Sequence, residues 1–102
     1  MSVPTGRTQR RVAKKLVVKL ARPDAPELQE TATAENISER GMRVVTEHIW
    51  RPGGSVLLSA SRTGFRTQAR VVYCQRLENV GFAIGLELVE ISAPIEVWAE
   101  PD

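Results

Sequence analysis

Between Phe65 and Cys74 the chain alternates, with Phe65, Thr67, Ala69, Val71 and Tyr73 on one side and Arg66, Gln68, Arg70 and Cys74 on the other. A period of two belongs to a β-strand, whose successive side chains point to opposite faces, so this stretch predicts a half-buried strand. Val80, Phe82, Ile84, Leu86 and Leu88 then alternate with Gly81, Ala83, Gly85 and Glu87, which predicts a second strand with one wholly apolar face. Leu77-Glu78-Asn79 supplies the turn between them. Upstream, Met42–Thr46 and Ser55–Ser59 are short aliphatic or β-branched runs parted by the turn signal Arg51-Pro52-Gly53-Gly54, and these four strands read as a meander. Near the start two periods compete. Val12, Leu16 and Leu20 keep a helical spacing, whereas the Leu16/Val18/Leu20 alternation and the β-branched Val17-Val18 pair favour a strand, which is the reading adopted. Pro23-Asp24-Ala25-Pro26 reads as a loop and the Thr-rich Leu28–Ile37 as another strand. Six short strands with turn signals between them indicate an all-β, antiparallel small barrel or sandwich. Residues 92–102 read as a short helix or tail, in which Ser92 can cap a helix with Pro94 near its first turn and Ile95 and Trp98 on one side.

Composition narrows the function. The 102 residues are 42% hydrophobic and 25% charged, the profile of one ordinary domain. A chain of this size buries only about 60–65% of the surface its unfolded form exposes, enough for one modest core. Cys74 is the single cysteine, which excludes an intramolecular disulfide framework and a cysteine-built zinc site and points to a reducing compartment. No apolar run approaches the ~18 residues of a membrane span, and Met1–Arg7 lacks the apolar stretch of a signal peptide, so the expected location is cytoplasmic. The net charge of +2 hides an asymmetry. Residues 1–22 hold Arg7, Arg10, Arg11, Lys14, Lys15, Lys19 and Arg22 and no acid, whereas the rest of the chain holds all twelve acids against seven arginines. A basic arm on a mildly acidic body seeks an anion.

Catalytic chemistry finds little material. A general acid–base or nucleophilic site needs convergent titrating groups, and the chain has one His and one Cys. His48, beside Trp50 and just before a turn, reads as structural or solvent-facing, and Cys74 as a small packing residue with no nearby His to lower its pKa. Glu87 and Glu90 are not spaced as metal ligands, and Gly53-Gly54 lacks the surroundings of a phosphate loop. The expectation is a non-enzymatic domain with no metal and no cofactor.

Two short constellations remain. Arg7-Thr8-Gln9-Arg10-Arg11 carries an R-x-x-x-R spacing just before the first strand, and Asn36-Ile37-Ser38-Glu39-Arg40-Gly41 lies between the Thr-rich strand and the Met42 strand. Alone, the first is a basic tail and the second a polar turn, in which Asn and Ser bond nearby backbone and Gly41 permits a positive φ. In this order, on a six-strand chain of this length, the pair resembles the PilZ domain, a bacterial receptor for cyclic di-GMP. Arg7 and Arg11 match the R-x-x-x-R start; Asn36, Ser38 and Gly41 match the D/N-x-S-x-x-G element; Phe82–Leu88 is similar to the family's closing strand. The resemblance, covering roughly residues 7–90, implies a PilZ-type, split-barrel-like β-barrel over residues 15–91, preceded by a flexible ligand-clamping arm over residues 1–14. It also implies that Arg7 and Arg11, with Arg10 as a third contact, grip cyclic di-GMP while Asn36, Ser38 and Gly41 hold a guanine and phosphate against the barrel. The residue types suit that ligand. An arginine is planar and permanently charged, so it can fork onto a phosphate or onto guanine O6/N7, or stack on a purine. Asn36 stands where many relatives have Asp, and an amide accepts with one oxygen where a carboxylate offers two.

Three other readings compete. A PilZ-like adaptor that binds a protein and no nucleotide would use the apolar Ile95 and Trp98. An RNA- or single-stranded-DNA-binding barrel needs exposed aromatics for stacking, and with Phe65, Tyr73 and Phe82 assigned to core faces only Trp50 and Trp98 are left. A membrane-surface helix over Val12–Leu20 is opposed by Val17-Val18 and by Pro23 soon after. The leading expectation is a receptor that binds cyclic di-GMP and a downstream protein partner, without nucleic acid and without a membrane span.

Overall fold

The computed structural model describes residues 15–89. They form six strands, β1 (Leu16–Arg22), β2 (Ala25–Glu35), β3 (Gly41–Thr46), β4 (Ser55–Ala60), β5 (Arg66–Arg76) and β6 (Phe82–Leu88). All neighbours pair antiparallel, and the order β1-β2-β3-β6-β5-β4 closes on itself as a barrel. The choice between barrel and sandwich is thereby settled for the barrel, and among the described residues there is no helix. The expected arm over residues 1–14, with Arg7, Arg10 and Arg11, and the expected helix or tail over residues 92–102 lie outside the described residues.

The strand reading of Leu16–Leu20 holds, because Val18 and Leu20 are completely buried while Val17 and Lys19 face out. Inward residues from every strand fill the barrel, among them Val18, Leu20, Val44, Val56, Leu58, Val71 and Ile84, each at most 1% exposed. Burial of aliphatic side chains such as these contributes about 1.5–3 kcal/mol apiece relative to leaving them in water, and this is the main source of the fold's stability.

Three expectations need correction. The four later strands are not a meander, since β3 pairs with β6 while β4 lies between β1 and β5. The barrel is two three-stranded meanders sealed at β3/β6 and β1/β4. The Pro23–Pro26 loop is shorter than its prolines implied: Pro23 and Asp24 make the turn and β2 already starts at Ala25. Here Pro26 sits near the exposed start of a strand, one of the places where its missing N–H is tolerated. The largest change is in β5. Val71 pairs with Leu86 but Tyr73 pairs with Gly85, so Val72 is an extra residue, a β-bulge. Beyond it the faces exchange: Tyr73 turns outward, 41% exposed, and Cys74 packs against the core.

One carboxylate, Glu30 of β2, ties the β3–β4 connection to the barrel. Glu30 accepts a hydrogen bond from the Glu47 backbone N–H at 2.5 Å and another from the Trp50 indole N–H at 3.1 Å, and His48 Nδ1 stands 3.4 Å away. The Thr46 hydroxyl donates to the His48 carbonyl at 2.8 Å. Trp50 is thus half-buried against the core, and of the two positions read for His48, structural or solvent-facing, its side chain has the second.

Candidate ligand-binding face

The Asn36–Gly41 segment joins β2 to β3, and its residue types follow from its geometry. Asn36 has φ 53°, the only non-glycine positive φ among the described residues. Asn is one of the few residues that adopts this left-handed conformation at small cost. The next residue, Ile37, leaves the strand yet is fully buried, so it anchors the loop in the core. Ser38 closes the bend. Its N–H donates to the Gly41 carbonyl at 2.9 Å, its hydroxyl donates to the same oxygen at 3.3 Å, and that hydroxyl accepts from the Arg40 N–H at 3.3 Å. The Arg40 carbonyl accepts from the Leu88 N–H at 2.8 Å and ties the loop to the end of β6. Gly41 passes so close to β6 that a Cβ there would overlap the Leu86 carbonyl oxygen.

The three motif residues therefore do different things. Asn36 is exposed and offers its amide to solvent, whereas Ser38 is only 8% exposed and spends its hydroxyl on the loop. Gly41 does not have the positive φ expected of it, which falls on Asn36 instead; what it contributes is an absence of side chain where β3 meets β6. The loop opens onto the outer face of β2, β3, β6 and β5, where cross-strand partners form the row Glu35, Arg43, Gly85, Tyr73. Arg43 is ion-paired with Glu35, and one step along the strands Arg70 Nη2 donates to Glu87 Oε1 at 2.8 Å. The Tyr73 ring lies on Gly85, covering the position where a Cβ would stand.

Arg43 and Tyr73 were not singled out from the sequence. Arg43 was legible, since Met42 and Val44 on either side are buried and alternation turns it outward. Tyr73 was not, because the bulge at Val72 reverses its side. The aromatic inventory changes accordingly: Tyr73 is available on the surface, and Trp50, expected to be exposed, is occupied by Glu30. Among the described residues no cluster of three or more His, Cys, Asp or Glu could hold a metal, and no helix is long and apolar enough to cross a membrane.

A closed six-stranded barrel whose second and third strands are joined by an N-x-S-x-x-G loop defines a small binding domain. The model of the PilZ domain family matches residues 6–97, nearly the whole chain and both motifs, and the protein belongs to that family. No curated protein matches it. The family is one of binding and adaptor domains associated with cyclic di-GMP.

Proposed function

We propose that this domain is a bacterial, cytoplasmic cyclic di-GMP receptor in which the basic arm, residues 1–14, closes over the β2–β3–β6 face of the barrel, residues 15–91, and presents the new surface to a protein partner. The observation that carries the reading is the pairing of Arg7-x-x-x-Arg11 with an Asn36–Gly41 loop that turns Asn36 outward while Ser38 and Gly41 hold its shape. Charge favours a division of labour. On the described face Arg43 and Arg70 are each neutralised by a glutamate, so the face supplies shape and hydrogen bonding but little net positive potential. A nucleotide with two ionised phosphates needs cations from elsewhere, and Arg7, Arg10 and Arg11, upstream of β1, pair charge with a fork. Asn36 would meet a guanine edge, with Ser38 and Gly41 acting through the loop they shape.

Ordering an arm of this length costs conformational entropy and in exchange couples a small ligand to a large change of surface. That change is the output of the module. Calorimetric titration with cyclic di-GMP, with GTP as control, tests the reading. Arg7→Ala and Arg11→Ala should each weaken binding by roughly 2–3 kcal/mol, the worth of a lost charge-assisted contact. Unchanged affinity in both variants removes the arm from the site. Absence of heat and of NMR shift changes with the intact chain at high ligand concentration leaves the adaptor reading, in which a PilZ barrel binds protein alone.

A further inference from the structure

Across the barrel from the Asn36 loop, β1, β4 and β5, with Pro26 and Gln29 from the first half of β2, line a concavity of about 440 Å³. In the ring order β4 stands three strands from β3 in either direction, so the two faces are opposite. Cross-strand pairing aligns Lys19, Ser59 and Arg66 in a row along one side of the concavity. Its floor is apolar, with Ala21 only 4% exposed beside Pro26 and Leu57. The side chains of Lys19 and Arg66 have no hydrogen-bond or ionic partner among the described residues, and no carboxylate lines the cavity. This contrasts with Arg22, Arg43 and Arg70, each of which meets an acid on its own face.

From these features we infer that the Lys19–Ser59–Arg66 concavity is a second binding site, for a small phosphomonoester. Adjacent strands stand about 4.8 Å apart, so the two cations rise about 9.6 Å from each other on either side of the serine. Their side chains are long enough to converge on an anion seated over the Ser59 hydroxyl, which donates a hydrogen bond to it. A dianionic phosphate answers both charges at once, where a carboxylate answers one. The apolar floor receives the body of the ligand, which gives a phosphomonoester an advantage over inorganic phosphate. The volume lies within the range of small-molecule pockets, and the lining has their usual make-up of apolar surface with a few placed polar groups.

The site is independent of cyclic di-GMP binding, and one set of samples separates the two. The full chain is titrated at low ionic strength with phenyl phosphate, inorganic phosphate and benzoate, and backbone amide shifts are followed by NMR. Phenyl phosphate is expected to bind most tightly and to move the amides of Lys19, Ser59 and Arg66. Lys19→Ala and Arg66→Ala, both changes of exposed side chains, should each weaken it about tenfold or more, the effect of one lost charge-assisted bond, with cyclic di-GMP affinity unchanged. Arg11→Ala should do the reverse. Phenyl phosphate shifts centred on Asn36 and Arg43, displacement of phenyl phosphate by cyclic di-GMP, equal binding of benzoate, or no saturable shift at all would each overturn the assignment.

Discussion

Gly41 and Leu86 stand at van der Waals contact across the β3/β6 seam, with no room between them for a methyl group: a Cβ on Gly41 would occupy the space of the Leu86 carbonyl oxygen. The glycine that ends the N-x-S-x-x-G loop is therefore a requirement of barrel closure as well as of any ligand. Gly41→Ala must push β3 from β6 at the pair that starts the seam. Overpacking of this kind costs about 1–3 kcal/mol, so thermal or urea unfolding should show a clear loss of stability before any ligand is added. Wild-type stability in Gly41→Ala would mean that the seam is wider than described.

Asn36 carries the prediction most specific to the site. Both Asn and Asp tolerate the left-handed backbone at φ 53°, so Asn36→Asp should leave the fold intact. If the side chain faces a guanine N1–H and N2–H, a carboxylate takes both bonds where the amide oxygen takes one, and cyclic di-GMP should bind about tenfold tighter by calorimetry. Weaker binding would place a ligand phosphate, not a base edge, at this residue.

Glu30 organises the opposite part of the barrel's rim. It accepts from both the Glu47 N–H and the Trp50 indole, and the side chain is only 12% exposed. Glu30→Ala leaves two donors without their acceptor and should destabilise the fold by about 1–3 kcal/mol. Trp50 should report it through a red-shifted, more quenchable fluorescence, measured in a Trp98→Phe background so that a single indole emits. Unaltered emission would show that core packing alone fixes Trp50.

At the β1–β2 hairpin, the Arg22 guanidinium donates to both carboxylate oxygens of Asp24, at 3.2 and 2.9 Å. The hydrogen bond from Arg22, reinforced by its charge, holds the Asp24 carboxyl below its ordinary pKa. Because the folded value is the depressed one, the associated stabilisation is present above the unfolded pKa and is lost as pH falls through the folded pKa. Arg22 and Asp24 are both exposed, so the pair should matter little to stability. Arg22→Ala should return the Asp24 titration, followed by carboxyl NMR, upward to the ordinary range, with the unfolding midpoint nearly unchanged; a titration that does not move would place the cause elsewhere.

The legibility of this fold varied with the range of the forces involved. Strand positions could be read because burial imposes period two locally, as at Val18 and Leu20 or at Met42 and Val44. The order of strands around the ring could not, since β3 and β4 are consecutive in sequence and separated in space by registers that only closure determines. One inserted residue defeated the alternation at β5: nothing in Val71-Val72-Tyr73 marks which valine is the extra one, and Tyr73 and Cys74 consequently exchanged sides. The site letters were readable in Asn36, Ser38 and Gly41, but their separate duties depend on contacts with Arg40, Leu86 and Leu88 that a linear motif does not express.

The sealing of β1 against β4 and of β3 against β6 has a consequence for communication. Every strand is paired on both sides over part of its length, but residues 25–32 of β2 pair only with β1 and residues 72–76 of β5 only with β6, so a partner strand has those two borders to zip onto and no other along the seams. Everywhere else, whatever docks must read the outer skin of side chains, and a message sent from one flank to another has to be carried by chemistry displayed there.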